Sequence, residues 1–490
     1  MRSLYNWSAL VLPLLASLSS CTFTVAGSKL LLPADFKPPQ VFKHSNLLRT
    51  IDLTRPYARE TIAAVIENVS KVPQSEYYLP VSKETLPKVS YVEARDKKGA
   101  GDMFVVTPVE FNEQSDTQYY RILFNPALPA GFSLTLQISL AVTDVLTPVP
   151  ALVTQVEKQF LQWTTRQYAH TAYTTEKQKT KLKFPNNEVP DFTKLDPKAD
   201  GTEDPTKSGS SFTFGPYPAT GPEIVGEEVT LRFEYTAPVI KMDRMERLIE
   251  VSHWGGNLAV EERYSMTNNG ANLKEQFSRV AWAATSYYNP PTHAIRMLTF
   301  PLIVGAKDAY FTDEIGNVST SRFRSNPREA NLELKPRYPV FGGWNYTFVT
   351  GWNHDLNHFV RGAKNGADFV LRVPFLEGPK EAVTYGELEV TVILPEGATN
   401  VEFNSPIPLL GSEQYLHKTF MDTIGRTAIK MTARNVVDEQ HRKELIVSYH
   451  LDRAEALRKP LVMFAALLTL FAFSWGVGKL DLGIGKKKNA

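Results

Sequence analysis

Apolar and polar residues alternate with a period of two along much of this chain. In "FSLTLQISLAV", Phe132, Leu134, Leu136, Ile138, Leu140 and Val142 share one face, and small or polar residues take the other. The same period returns in Leu388, Val390, Val392 and Leu394, and again in Leu445, Val447, Tyr449 and Leu451. Strands with one apolar and one polar face predict antiparallel sheets packed as sandwiches, and hence a mainly β protein. Residues 151–170 fit either a helix or a long strand. Residues 185–222, rich in Pro, Gly, Asp, Lys and Ser, break the pattern, and their middle reads as a long surface loop rather than a domain.

The two ends follow other rules. Met1, Arg2, an apolar run over residues 10–18 and small residues through Ser20 predict a signal peptide within 1–27, cleaved between Ser20 and Ser28. Residues 461–478 form an uncharged run of about 18 residues, about 27 Å as a helix, enough to cross a thin bilayer once. A buried core helix is the alternative, but Lys479 and the basic end beyond it favour a membrane span. With the signal peptide in front, residues 28–459 are expected on the luminal or extracellular side and 479–490 in the cytosol.

The pattern also repeats at long range. "RTIDLTRPYARETIAAVIEN" from Arg49 aligns with "RLIEVSHWGGNLAVEERYSMTN" from Arg247, the later copy being two residues longer. Two weaker landmarks follow in the same order: Asp96-x-x-Gly99 with Asp313-x-x-Gly316, and Gly131-Phe132 with Gly343-Trp344. This predicts a tandem duplication, with β-sandwich domains over 28–238 and 239–459. "RLIEVSHWGGNLAVEE" then reads as the opening hairpin of the second domain. Ile249, Val251, Leu258 and Val260 would supply its core, and His253, Glu261 and Glu262 its turn and solvent face.

Composition excludes more than it assigns. Lys+Arg 54 against Asp+Glu 52 gives a formal charge of +2, so nothing points to nucleic acid or to an acidic substrate. Cys21 is the single cysteine and lies where cleavage is expected, which argues against a disulfide-stapled receptor and against a cysteine nucleophile. "HDLNH", with His354 and His358 at i and i+4 and Asp355 between them, imitates a zinc-protease helix. Aspartate reaches a metal-bound water poorly, Gly351 and Gly362 leave little room for a long helix, and no third ligand is identifiable. No catalytic, cofactor-binding or metal residue is therefore assigned, and a membrane-anchored metallohydrolase stands only as an alternative, beside an adhesion-like receptor.

Asn68, Asn317 and Asn345 begin Asn-x-Ser/Thr sequons, candidate N-glycosylation sites. Lys487 and Lys488, fourth and third from the end in "KKKNA", have the placement of a dilysine retrieval signal of the endoplasmic reticulum, or else form a plain basic stop-transfer cluster. "RTIDL", "MERLIEVSHWGGNLAVEE", "FTDEIGNVSTS", "RYPVFGGWNYTF", "VILPEGATNVEFNSP" and "MDTIGR" resemble the ribophorin I family, the large accessory subunit of oligosaccharyltransferase. That resemblance covers residue 46 to the span. It implies two tandem luminal β-sandwich domains on one transmembrane helix, without a cofactor. The neighbours it implies are a polytopic catalytic subunit, a small two-span subunit and other members of the complex, with the nascent polypeptide as a further contact. It assigns glycosyl transfer to the catalytic subunit, whose Trp-Trp-Asp signature is missing here because no two tryptophans adjoin. Animal relatives carry a long cytosolic extension linked to ribosome contact; the tail here looks like the short fungal type.

Overall fold

The computed structural model describes residues 30–31, 36–99, 103–110, 115–196, 204–288, 290–364, 366–419 and 422–479. The expected signal peptide, Cys21, Lys487 and Lys488 lie outside the described residues. Strands dominate, and the alternating segments form them as expected: Leu136, Ile138, Leu140 and Val142 are buried along Ser133–Val142, and Leu388, Val390, Val392 and Leu394 along Val383–Glu396. Phe132 departs from its stripe. It precedes the strand, beside Gly131 at φ 72°, and is exposed because the chain is still turning there.

One large sheet organises each half of the molecule. Across the first the strand order is Thr206–Ser208, Ser211–Tyr217, Gln178–Lys183, Phe42–Asp52, Ala58–Asn68, Ser133–Val142, Val89–Asp96. Across the second it is Gly411–His417, Arg426–Val437, Val383–Glu396, Ile240–Ser252, Asn257–Asn268, Asn345–Asp355, Lys307–Asp313. These are the same seven positions filled in the same chain order. A parallel pairing at the centre recurs too: Gln178–Lys183 beside Phe42–Asp52, and Val383–Glu396 beside Ile240–Ser252. So does a bulge, between His44 and Asn46 in one half and between Met242 and Arg244 in the other.

Two smaller sets of strands accompany each large sheet, and they repeat as well. Met103–Glu110, Thr117–Leu128 and Gln74–Ser82 continue the first large sheet through the pairing of Met103–Glu110 with Val89–Asp96, and they match Arg322–Ser325, Ala330–Leu334 and Leu298–Leu302, which form a separate three-stranded sheet in the second half. A four-stranded sheet ordered Asp191–Phe192, Glu228–Glu234, Phe160–Arg166, Thr147–Pro148 matches Thr399–Asn404, Glu444–His450, Asp368–Pro374, Val360–Gly362. In the second half one continuous core joins all three sheets. In the first half the core is divided: one cluster lies under Gln74–Ser82 and Thr117–Leu128, another under Phe160–Arg166 and Glu228–Glu234.

The composition of 185–222 concealed strands. Phe212 and Phe214 of "SFTFGPY", with Val189 and Leu195, are buried in the second of those clusters. Proline and glycine there punctuate short strands rather than replace them, and residues 197–203 lie outside the described residues. Residues 151–170 resolve as strand, with Leu161 and Trp163 buried along Phe160–Arg166. The apolar run at the end forms helix Arg458–Lys479, 22 residues long and exposed along its length. At 1.5 Å per residue it measures about 33 Å, the thickness of a hydrocarbon core.

Candidate functional sites

The repeat landmarks fall on matching atoms. Asn68 ends its strand with its amide donating to the carbonyls of Leu128 and Val72, while Gly131 N donates to Asn68 O at 2.9 Å. Asn268 donates to the carbonyls of Val340 and His293, and Gly343 N donates to Asn268 O at 2.8 Å. Both asparagines are fully buried, and Gly131 and Gly343 both take the left-handed turn, at φ 72° and 74°. Asp96 pairs across the sheet with Leu136, and Asp313 with Phe348, each accepting from the backbone N–H two residues on. In both halves the asparagine is a bracket that satisfies buried carbonyls where the large sheet turns toward its cover.

"RLIEVSHWGGNLAVEE" is a hairpin. Its turn spans His253 to Gly256, with Gly256 at φ 60°, and Ile249, Val251, Leu258 and Val260 are buried. His253 is only partly a turn residue: its ring packs edge-on to Phe369 at 4.6 Å and its Nε2 lies 2.6 Å from the Tyr449 hydroxyl. Burial pulls its pKa below the ordinary value. Glu261 sits near the surface, bonded to Arg263 and to the Tyr310 hydroxyl. Glu262 corrects the expectation of a solvent-face pair, because it is completely buried. It has the parity of Leu258, Val260 and Tyr264, so the pleat aims it into the core.

There Glu262 meets Arg247, also buried and in phase with Ile249 and Val251. Arg247 Nη2 reaches Glu377 Oε2 at 3.1 Å, and the Tyr264 hydroxyl donates to Glu262 at 2.6 Å. Burial raises the Glu377 pKa, with Arg247 opposing it, and raises Tyr264 well above its ordinary value. Sequence inspection missed this cluster. Its signal was parity: Arg247 and Glu262 interrupt apolar stripes without leaving them.

His354 and His358 do not share a helix face. His354 belongs to strand Asn345–Asp355 and is buried against Phe359, ring centroids 5.0 Å apart, whereas exposed His358 ends the short 3-10 turn Leu356–His358. Burial, with the charges of Arg247 and His358, brings His354 down to about 4. Asp355 points outward to Lys307 at 2.9 Å. The strand prevails because Tyr346, Phe348 and Trp352 put the period-two stripe of a central strand in front of the motif. Among the described residues, no group of three His, Cys, Asp or Glu side chains is placed to hold a metal ion.

The halves meet where Leu152–Val153 pairs with Asn272–Leu273 and again at the turn Asp438–Gln440. Asp438 accepts from Arg55 and from the Tyr57 hydroxyl at 2.7 Å, Glu439 from Arg59 and Tyr91, and Lys443 pairs with Glu93 at 2.8 Å. Tyr57, Ala141 and Val437 pack beneath these pairs. Beside the turn lies an open groove of about 340 Å³, lined by Asp52, Arg59, Tyr91, Glu93, Arg95 and Lys183 among others. Of the sequons, Asn317 and Asn345 are exposed on strand ends, whereas Asn68 is the buried bracket.

Comparison with known proteins matches the Ribophorin I family profile over residues 42–478. The Schizosaccharomyces pombe protein named dolichyl-diphosphooligosaccharide--protein glycosyltransferase subunit 1 is 31% identical over 89% of this chain and 95% of its own. The Caenorhabditis elegans protein of that name is 29% identical over 88% of this chain and 71% of its own. Subunit 1B of Arabidopsis thaliana is 28% identical over 95% and 98%. Likeness to a solved zinc metallopeptidase of Deinococcus radiodurans stops at a TM-score of 0.22 and 11% identity over 42% of each chain, where no shared fold is established.

Proposed function

The chain belongs to the ribophorin I family, and from that premise we propose that it is a noncatalytic subunit of the oligosaccharyltransferase complex of the endoplasmic reticulum. That complex transfers a preassembled glycan from dolichol pyrophosphate to Asn-x-Ser/Thr of nascent proteins. The observation carrying this reading is the likeness to relatives named subunit 1 of that glycosyltransferase along nearly the full length of both chains. In this reading 28–238 and 239–459 are tandem luminal domains descended from one ancestor, 461–478 spans the membrane, and 479–490 is the cytosolic tail with its dilysine address. The matched strand orders support the duplication. Its neighbours are the polytopic catalytic subunit, a small two-span subunit and, in passing, the acceptor polypeptide.

The contribution proposed is stabilisation. Sheets stapled by buried ion pairs suit a scaffold that favours the assembled state by mass action. Depleting the protein from membranes and assaying two acceptors tests this. Equal loss of transfer to a short peptide and to long folded-protein acceptors, with a fall in catalytic-subunit abundance, is the expected outcome. Normal abundance with loss confined to long acceptors would replace stabilisation by acceptor positioning, which acts through effective concentration. Of the sequons, we propose Asn317 and Asn345 as glycan acceptors. Asn68 needs both amide hydrogens for carbonyls of the fold, so peptide mass spectrometry should find it bare.

A further inference from the structure

The base of helix Arg458–Lys479 is clamped to one loop of the second half. Lys459 Nζ lies 2.8 Å from Asp422 Oδ1, and the Asp422 side chain is buried there. Thr419 donates to the other Asp422 oxygen from both its hydroxyl and its backbone N–H, at 2.6 and 2.9 Å. Arg458 grips Glu455 through two bonds of 2.6 Å and reaches the Thr423 hydroxyl at 3.4 Å. Glu396 receives the N–H groups of Thr423 and Ile424 at 2.6 and 2.7 Å. Gly397 lies so close to Glu455 that a Cβ would approach it within 2.6 Å, which fixes the short helix Arg453–Ala456 against the same loop.

These bonds engage Thr419, Asp422 and Thr423, and alkyl side chains near them stay exposed. Ile424 is 50% exposed, Leu457 57% and Leu416 69%. Leu416 sits beside the loop, opposite Thr427 at the end of edge strand Gly411–His417. Leu461 follows Arg458 by about 4.5 Å along the helix, so a loop touching Arg458 stands within a few ångströms of the first apolar turn. With residues 461–478 read as a membrane span, the bilayer begins at that level. Lys418, exposed next to Leu416, adds a cation suited to lipid phosphates.

We propose that Leu416, Ile424 and Leu457 form an apolar lip that inserts into the headgroup layer around the span, so that the second half rests on the membrane. The occupant is lipid rather than protein because the lip is continuous with the lipid-facing helix and lies at its level. The proposal rests on the reading of residues 461–478 as a membrane span, and its test separates the two.

The full-length protein is reconstituted alone in phosphatidylcholine nanodiscs, with a fluorophore on one introduced cysteine: Leu416→Cys, Ile424→Cys, Leu468→Cys within the helix, or Ile315→Cys on an exposed turn. The expected result is quenching at 416 and 424 by lipids carrying a shallow nitroxide, with several-fold weaker quenching by aqueous iodide than at 315. Label at 468 should respond to a deep nitroxide. Silence at 468 refutes the span itself; quenching at 468 with full iodide access at 416 and 424 refutes the lip alone. Protection of 416 and 424 that appears only in the assembled complex assigns the patch to a protein partner and also overturns the proposal. Asp422→Asn, which loosens the clamp, should raise iodide access at 424 while leaving 468 unchanged.

Discussion

Arg49 and Arg247 occupy one place in two sheets of one strand order, yet they are answered differently. Arg247 is sealed between Glu262 and Glu377. Arg49 lies closer to solvent, where Glu60 takes it at 2.7 Å and its remaining donors go to the Arg166 carbonyl and the Thr165 hydroxyl. The residue facing Arg49 across the sheet is Ile62, whereas the one facing Arg247 is Glu262. What both halves keep is the reach of a guanidinium from the large sheet to the C-terminal end of the same covering strand: Arg166 on Phe160–Arg166, and Glu377 three residues beyond Asp368–Pro374. The acid that answers it is free to differ. A repeated fold therefore preserves the tie between layers more strictly than the chemistry of the tie.

The sharpest way to break this comparison is to remove the acids. Glu262→Ala strips buried Arg247 of the carboxylate facing it, leaves the Tyr264 hydroxyl without its acceptor and opens a cavity, and should cost about 3–5 kcal/mol, whereas Glu60→Ala, nearer to water, should cost about 1–2 kcal/mol. Chemical denaturation of the purified protein, followed separately for each half by hydrogen exchange, measures both. Equal costs would mean that the difference in burial has no energetic meaning.

Next come the brackets. Asn268→Ala abandons two buried carbonyls and should cost about 2 kcal/mol, whereas Asn68→Ala abandons the buried Leu128 carbonyl and the more exposed Val72 carbonyl and should cost about 1–2 kcal/mol. A large effect on one side only would show that the bracket has been kept without its function in the other.

Glu377 gives a smaller, pH-dependent effect. Its folded pKa is raised above the ordinary 4.5, so its contribution favours folding below 4.5 and is lost as pH rises through the folded value. Glu377→Gln keeps an acceptor for Arg247 without the second charge. At neutral pH it should therefore be nearly neutral or slightly stabilising, and the pH dependence of the second half between 4.5 and 7 should flatten. A strong loss of stability at pH 7 would contradict this reading. A modest effect is also expected at the junction, where Asp438→Asn should cost about 1 kcal/mol and draw apart the unfolding transitions of the two halves. Calorimetry showing a single unaltered transition would assign the coupling to the remaining contacts, the Tyr57, Ala141 and Val437 cluster and the pairing of Leu152–Val153 with Asn272–Leu273.

Much of this architecture was legible in the chain. Period-two stripes marked the central strands, three small landmarks exposed the repeat, and one apolar run marked the helix. Each depends on local chemistry: side-chain parity, a left-handed glycine, and the length of an uncharged segment. The divided core, the short strands within 185–222 and the Arg247 cluster were not legible, because each is a relation among residues far apart in the chain. Glu377 stands 130 residues from Arg247, and nothing near either announces the other. The double glutamate misled for a related reason. Two adjacent acids look like a wet face, although adjacent residues on a strand point to opposite sides.

The parallel neighbour at the centre of each large sheet also sets a timetable. Ile240–Ser252 can complete its ladder only with Val383–Glu396, whose first residue follows by roughly 140 positions. At synthesis rates of about 5–20 residues per second, that partner emerges on the order of ten seconds later. Until then the opening hairpin stands with one row of backbone donors and acceptors unanswered, a template that any passing strand can join. The first half passes through the same interval, between Phe42–Asp52 and Gln178–Lys183. Throughout most of it Asn68 is unburied, because Leu128, whose carbonyl it will hold, has yet to arrive or settle. On the luminal placement proposed above, the bracket has to close before glycosylation machinery reads the sequon as a substrate, which would make maturation a race between folding and modification at a single amide.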